Sequence, residues 1–385
     1  MIKTTRSLAV LALAGLVLGA CGGDDDTSDA PAATTTTTTT SSAPAATETA
    51  TTDAPATGDP ASDPTTAEPA APAAAVDAPD TIRIGYQLIP NGDLIVKHYG
   101  WLEEAFGPDV TIEWRLFDSG GAVNEAFIAG ALDIGLAGSS PVSRGLSNGI
   151  EYQVPWIFDV IGEAEALVVS ADSGVTDIAG LAGRTVATPF ASTAHYSLLA
   201  ALEKAGLSPG DVTIIDAQPA DIAAAWSNGD IDAAYVWNPV LAELIAAGGT
   251  VLTDSAELAA EGKTTYDLAV VSNDFAAAYP DALAVWVAAQ DRAVALLNGD
   301  PDTAADVLAT ELEITPEEAA DQAADLIFVS AADQIGPDYL GGGLSANLYA
   351  AAQFNQSLGE IESVKDERAY TEAILLAAVE AVAGQ

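Results

Sequence analysis

A short β-branched run, a tight turn and an alanine-rich segment follow one another in residues 183–202, GRTVATPFASTAHYSLLAAL. Residues 184–186 read as a strand, 188–191 as a turn, and the residues after Ser192 and Thr193 carry helical spacing. Strand, tight loop and helix start make half of a βαβ unit, which commits this part of the chain to an α/β layer. Ser192 stands where an N-cap belongs, its hydroxyl placed to accept from the free N–H groups of the first turn. Those N–H groups, with the helix dipole behind them, also suit a small anion. A plain capped helix explains the same residues, so the rest of the chain must decide between the two.

The foldable part begins late. Residues 1–20 read as a signal peptide: Lys3 and Arg6 form a basic start, and residues 8–18 form an apolar stretch too short to span a bilayer. The segment ends in Leu18-Gly19-Ala20-Cys21, which resembles a bacterial lipobox with Cys21 as the lipidated residue. Cys21 is the only cysteine, so an intrachain disulfide, a cysteine metal cluster and a cysteine nucleophile in the folded part are excluded. Residues 21–80 are low in complexity, with a run of seven Thr, 11 acidic residues and no Lys or Arg. They hold too little apolar surface to fold and read as a tether with an r.m.s. reach on the order of 40 Å. No later segment is apolar for long enough to cross a membrane. The charge of −44, from 12 basic and 56 acidic residues, argues against nucleic acid or an anionic membrane as partner.

From Thr81 on, strands and helices alternate. Strands are expected over residues 81–86, 110–117, 133–136, 152–158, 165–169, 212–215, 230–236, 250–252 and 267–271. A helix is expected over 94–106, another over 122–129, and a third opening at Pro141 with Ser140 as its cap. Beyond Asn273 the pattern is helical almost to the end, with helices over 281–298, 301–311, 315–328, 344–358 and 366–383. This order means parallel α/β sheets, with ligand at the carboxyl ends of the strands. Three loops there share one design, residues 118–121, 138–141 and 189–193, each placing Ser with Gly or Pro at a helix start. Their recurrence tips the reading from a plain cap towards an anion held by N–H groups and hydroxyls.

The segments FDSGGAV, LAGSSPVSR, EALVVS, FASTAHYSLLAALEKAG, QPADIAAAW, GDIDAAYVWNPVL and VLTDS, in this order, resemble the substrate-binding proteins of taurine ABC importers. The broader group includes binders of aliphatic sulfonates, nitrate and thiamine precursors. The resemblance implies a two-lobed periplasmic-binding-protein fold of type II, with parallel-sheet lobes joined by two hinge crossovers and C-terminal helices. Lobe one is then 81–164 plus 267–385, and lobe two 165–266. It further implies a lipoprotein on the outer face of the cytoplasmic membrane, monomeric, without cofactor or metal, that hands taurine to an ABC permease.

The sulfonate is assigned to Ser119, Gly120, Ser139, Ser140, Ser192 and Thr193, with His195 as a further donor. Glu165 and Asp267, on the implied crossovers, are assigned to the ammonium, because acids in buried strands need a partner. Trp237 would add a cation–π face, with Tyr235 or Tyr196 nearby. Ala194 and Ala269 stand where that family usually carries Thr and an aromatic, which leaves a slightly larger sulfonate as the alternative. A hydrolase built on Ser192 and His195 is disfavoured: the chain has no G-x-S-x-G elbow, and their spacing suits capping better than attack.

Overall fold

The computed structural model describes Val76–Gly384. The expected signal peptide, Cys21 and the tether up to residue 75 lie outside the described residues. Among the described residues no helix is long and apolar enough to cross a membrane.

The described residues form eleven strands: β1 Thr81–Tyr86, β2 Thr111–Leu116, β3 Ile134–Gly138, β4 Tyr152–Ile161, β5 Glu165–Val169, β6 Thr185–Thr188, β7 Thr213–Asp216, β8 Ala233–Trp237, β9 Thr250–Asp254, β10 Thr265–Ser272 and β11 Leu326–Ile327. They form a six-stranded sheet in the order β11-β4-β10-β3-β1-β2 and a five-stranded sheet in the order β7-β6-β8-β5-β9. The chain leaves the first sheet after Ile161, enters the second at Glu165, and returns to the first at Thr265.

Each sheet is mixed rather than parallel throughout. β1, β2 and β3 run parallel, but β10 is antiparallel to both β3 and β4. In the second sheet β5 is antiparallel to both β8 and β9. The reason is the route of the chain: a strand that enters a sheet from the cleft side runs against strands that end there.

β5 shows how its sequence fits two cores. Ala166 and Val168 face one apolar cluster with Ile222, Val236 and Leu244; Leu167 and Val169 face another with Leu198 and Tyr235. A run apolar at every position is what a strand covered on both faces requires. The first sheet is covered by the helix Pro280–Gly299, whose Trp286 packs edge-on against Phe158 at 5.9 Å between centroids.

Three helix boundaries differ from the sequence reading. The helix expected over 94–106 is two, α1 Gly92–Tyr99 and α2 Trp101–Phe106, because Gly100 turns left-handed at φ 63° and closes the first. The segment 315–328 ends its helix at Ala324, and Leu326–Ile327 pairs with β4. The helix expected over 366–383 breaks because the Val154 N–H donates to the Ala373 carbonyl and the Leu375 N–H donates to the Val154 carbonyl. Each break is set by a distant strand or a backbone twist, which local periodicity does not carry.

Three further helices point at the space between the sheets: α3 Gly120–Ile128, α4 Ser139–Asn148 and α5 Thr193–Lys204. On the flank of that space Tyr196, Leu199 and Ala200 of α5 pack on Ala351 and Phe354 of the helix Gly343–Ser357.

Candidate functional site

The helix starts meet at one cavity. Gly120 of α3, Gly138 before α4, and Ser192 and Thr193 at α5 all line it, together with Glu165, Trp237 and Asp267. The empty space among these residues, counted out to open solvent, is about 440 Å³. Gln87, Asn238 and Leu326 also line it, with several apolar residues, and among the described residues no Lys, Arg or His does.

The elements come this close because two positions have no side chain. A Cβ on Gly120 would stand 2.7 Å from Pro141 Cγ, and one on Gly138 would stand 2.5 Å from Thr193 Cγ2. The second contact joins the first sheet's body to the second's, so the cleft is closed across it.

Ser192 caps α5 as the sequence predicts: its hydroxyl accepts from the His195 N–H at 3.0 Å and donates to the Pro189 carbonyl at 2.6 Å. Ser119 caps α3, accepting weakly from the Ala122 N–H at 3.5 Å. The α4 start differs from expectation. Gly138 is the cap residue and Pro141 sits within the first turn, where its missing N–H costs nothing.

Several assigned residues are not part of the cavity lining. Ser139 Oγ accepts from the Tyr266 N–H at 3.2 Å, and Ser140 Oγ accepts from Asn355 Nδ2 at 3.4 Å. Both hydroxyls thus tie α4 to its neighbours, and neither residue, nor Ser119, is part of the lining. His195 is buried and stacked on Phe190 at 4.6 Å, with Nδ1 3.9 Å from Glu360. Burial lowers its pKa, with Glu360 opposing, and it too lies off the lining. Since Ser192 is engaged with backbone atoms and not with the His195 ring, the pair has no nucleophile–base geometry.

The acids lie on two sheets. Glu165 opens β5 directly opposite Trp237 of β8. Its carboxylate accepts from Thr193 at 2.6 Å, Ser255 at 2.9 Å and Ser197 at 3.3 Å. Burial pushes its pKa up to about 7, against these three donors. Asp267 on β10 lies directly opposite Asp159 on β4. Burial, then the charge of Glu165, raises Asp267 to about 7. Asp159 is wholly buried, and burial followed by the Asp267 charge holds it well above the carboxylate range.

Sequence reasoning missed Asp159, together with Gln87 and Asn238. Its expected strand stopped at Phe158, one residue short. An acid inside the apolar run WIFDVI was the available signal.

Two α/β bodies joined by two chain passages, with helix N-termini converging on the cleft, define the two-lobed periplasmic-binding-protein fold. The chain belongs to the NMT1-like family, whose model matches residues 77–312. It is 43% identical over 171 residues to the taurine-binding periplasmic protein of Escherichia coli (strain K12), a match covering 44% of this chain and 52% of that relative. It therefore spans about half the length of that relative. A Bacillus subtilis (strain 168) protein named for binding aliphatic sulfonates is 34% identical over 230 residues, covering 59% of this chain and 68% of that one. Among solved structures, the alkanesulfonate-binding protein SsuA of Xanthomonas axonopodis pv. citri, bound to MOPS, superposes with a TM-score of 0.63 at 24% identity, covering 79% of this chain and 99% of that one.

Proposed function

We propose that this protein is the extracytoplasmic solute-binding component of an ABC importer, and that it captures a small aminosulfonate of the taurine type. The observation that carries the reading is the polarity of the cavity. Helix N-termini at Gly120, Gly138 and Ser192 offer N–H groups to an anion, while Glu165 and Asp267 stand in the same wall with no basic side chain. A simple anion would meet two buried acids with nothing to offset them. A zwitterion brings its own ammonium, and Trp237 beside Glu165 supplies an aromatic face for it. The kinship with a taurine-binding relative supports the same ligand class.

In this reading the two bodies, residues 81–164 with 267–385 and residues 165–266, are the lobes that close on ligand. The protein works as a monomeric carrier held by a lipid on Cys21 at the outer face of the cytoplasmic membrane, and a membrane permease receives the ligand. It carries no reaction: Ser192 serves as a cap and Thr193 as a donor to Glu165.

Calorimetric titration with taurine, ethanesulfonate and ethanolamine tests the ligand. Taurine should bind well and the two halves weakly. Equal or tighter binding of ethanesulfonate would move the assignment to simple alkanesulfonates. Tight binding of ethanolamine would make the ligand a cation. Fractionating cells that carry Cys21→Ser tests the anchor: the variant should leave the membrane fraction.

A further inference from the structure

Glu165 and Asp159 are both buried carboxyls near one cleft, but their surroundings are opposite. Three hydroxyls donate to Glu165. No donor among the described residues reaches either oxygen of Asp159 in hydrogen-bonding geometry. A buried, ionised carboxylate without donors is among the most costly groups a protein can hold, and such a group neutralises instead.

The backbone register says how. Asp159 and Asp267 are directly opposed on antiparallel strands, so their side chains share one face of the sheet. Asp267 reaches the cavity wall, while Asp159 is wholly buried and off the lining. Two like charges placed so cannot both ionise cheaply, and one proton between them removes the conflict. The other charged group acting on the two is Glu165, from the second sheet. Asn91, at the start of α1, is the one opposing neighbour: its Nδ2, without a partner of good geometry, acts on Asp159 as a weak donor that favours the charged form, and burial together with the Asp267 charge outweighs it.

We infer that Asp159 is a positioning residue that stays protonated and donates its proton to the Asp267 carboxylate, so that together they present one negative charge to a cationic ligand group. Asp267 is the residue that touches ligand; Asp159 aims it and caps its charge. This rests on the aminosulfonate reading for the ligand's identity, but the proton itself belongs to the empty protein.

The experiment therefore has two arms. In the ligand-free arm, infrared difference spectra of the full chain, wild type minus Asp159→Asn, are taken at neutral pH. A protonated-carboxyl C=O band should be present in the wild type and missing in the variant. An absent band, or one that Asp159→Asn leaves unchanged, overturns the inference. In the ligand arm, taurine affinity is measured for Asp159→Asn, Asp159→Ala and Asp267→Asn. Asn keeps a neutral donor, so Asp159→Asn should bind within about threefold of wild type. Asp159→Ala should lose about tenfold, and Asp267→Asn about 100-fold. If Asp159→Asn is as weak as Asp267→Asn, Asp159 binds as a charge and the inference fails. If the wild type does not bind taurine at all, the ligand assignment falls, and the infrared arm still decides the proton.

Discussion

The two walls of the cleft hold their acids in different ways. On the second sheet Glu165 is set among Thr193, Ser197 and Ser255, and Tyr235 Oη lies 3.3 Å from Ser255 Oγ. On the first sheet Asp159 and Asp267 face each other across a strand pair, and among the described residues no donor reaches Asp159 in good hydrogen-bonding geometry, Asn91 being its one weak neutral neighbour. The protein thus fixes one acid with its own hydroxyls and leaves the other wall short of a positive partner. A wall whose acceptors are already occupied holds shape; a wall that lacks a donor selects what fills it.

The largest expected effect separates the walls directly. Asp267→Asn should weaken taurine binding about 100-fold, and Glu165→Gln less than about tenfold, because the hydroxyls around Glu165 already satisfy much of its charge. Equal losses in a calorimetric titration would erase the distinction.

A second measurement uses pH. Asp267 and Glu165 are raised to about 7, and Asp93, buried with Gln290 as its donor, to about 8. An acid whose folded pKa lies above its unfolded value keeps its full stability below the unfolded pKa and loses it as pH rises through the folded one. Urea denaturation of the empty protein should therefore show stability falling between roughly pH 4 and pH 8, by about 2 kcal/mol or more. Asp93→Asn should flatten the upper part of that fall; an unchanged profile would show that Asp93 ionises freely.

Ser255→Ala should cost about 1.5 kcal/mol of stability, since it removes a hydrogen bond to a buried acid, and should raise the pKa of Glu165 further. If thermal melts show no loss, the hydroxyl cage is not what holds that wall. The smallest effect is expected at Ser192→Ala, about 1 kcal/mol of stability from the lost cap, with ligand binding weakened by more than that. Normal binding with reduced stability would leave Ser192 a cap and nothing else.

What the sequence revealed follows the range of the forces involved. Ser192 was legible as a cap because its partner is three residues away. Glu165 and Asp267 were legible as charges stranded in apolar runs. Ser139, Ser140 and His195 were legible only as polar residues at helix starts. Their directions depend on Tyr266, Asn355 and Phe190, and two of those three are remote in the chain. Asp159 acquires its meaning from the register between β4 and β10, which no local pattern encodes. The mixed direction of the sheets was hidden for a related reason: it follows from where the chain crosses, not from what any strand contains.

The contact of α5 with the helix Gly343–Ser357 has a mechanical consequence. Tyr196 meets Phe354 edge-on at 4.9 Å, and Lys263 Nζ covers the same phenyl ring at 3.7 Å. Separating these rings would expose apolar surface, whereas parting Gly138 from Thr193 breaks only a close approach. One edge of the cleft is thus stitched and the other merely shut. If the two bodies part to release ligand, as proposed, the chain passages after Ile161 and before Thr265 hold them together, and the Tyr196–Phe354 contact is apolar surface that opening would expose.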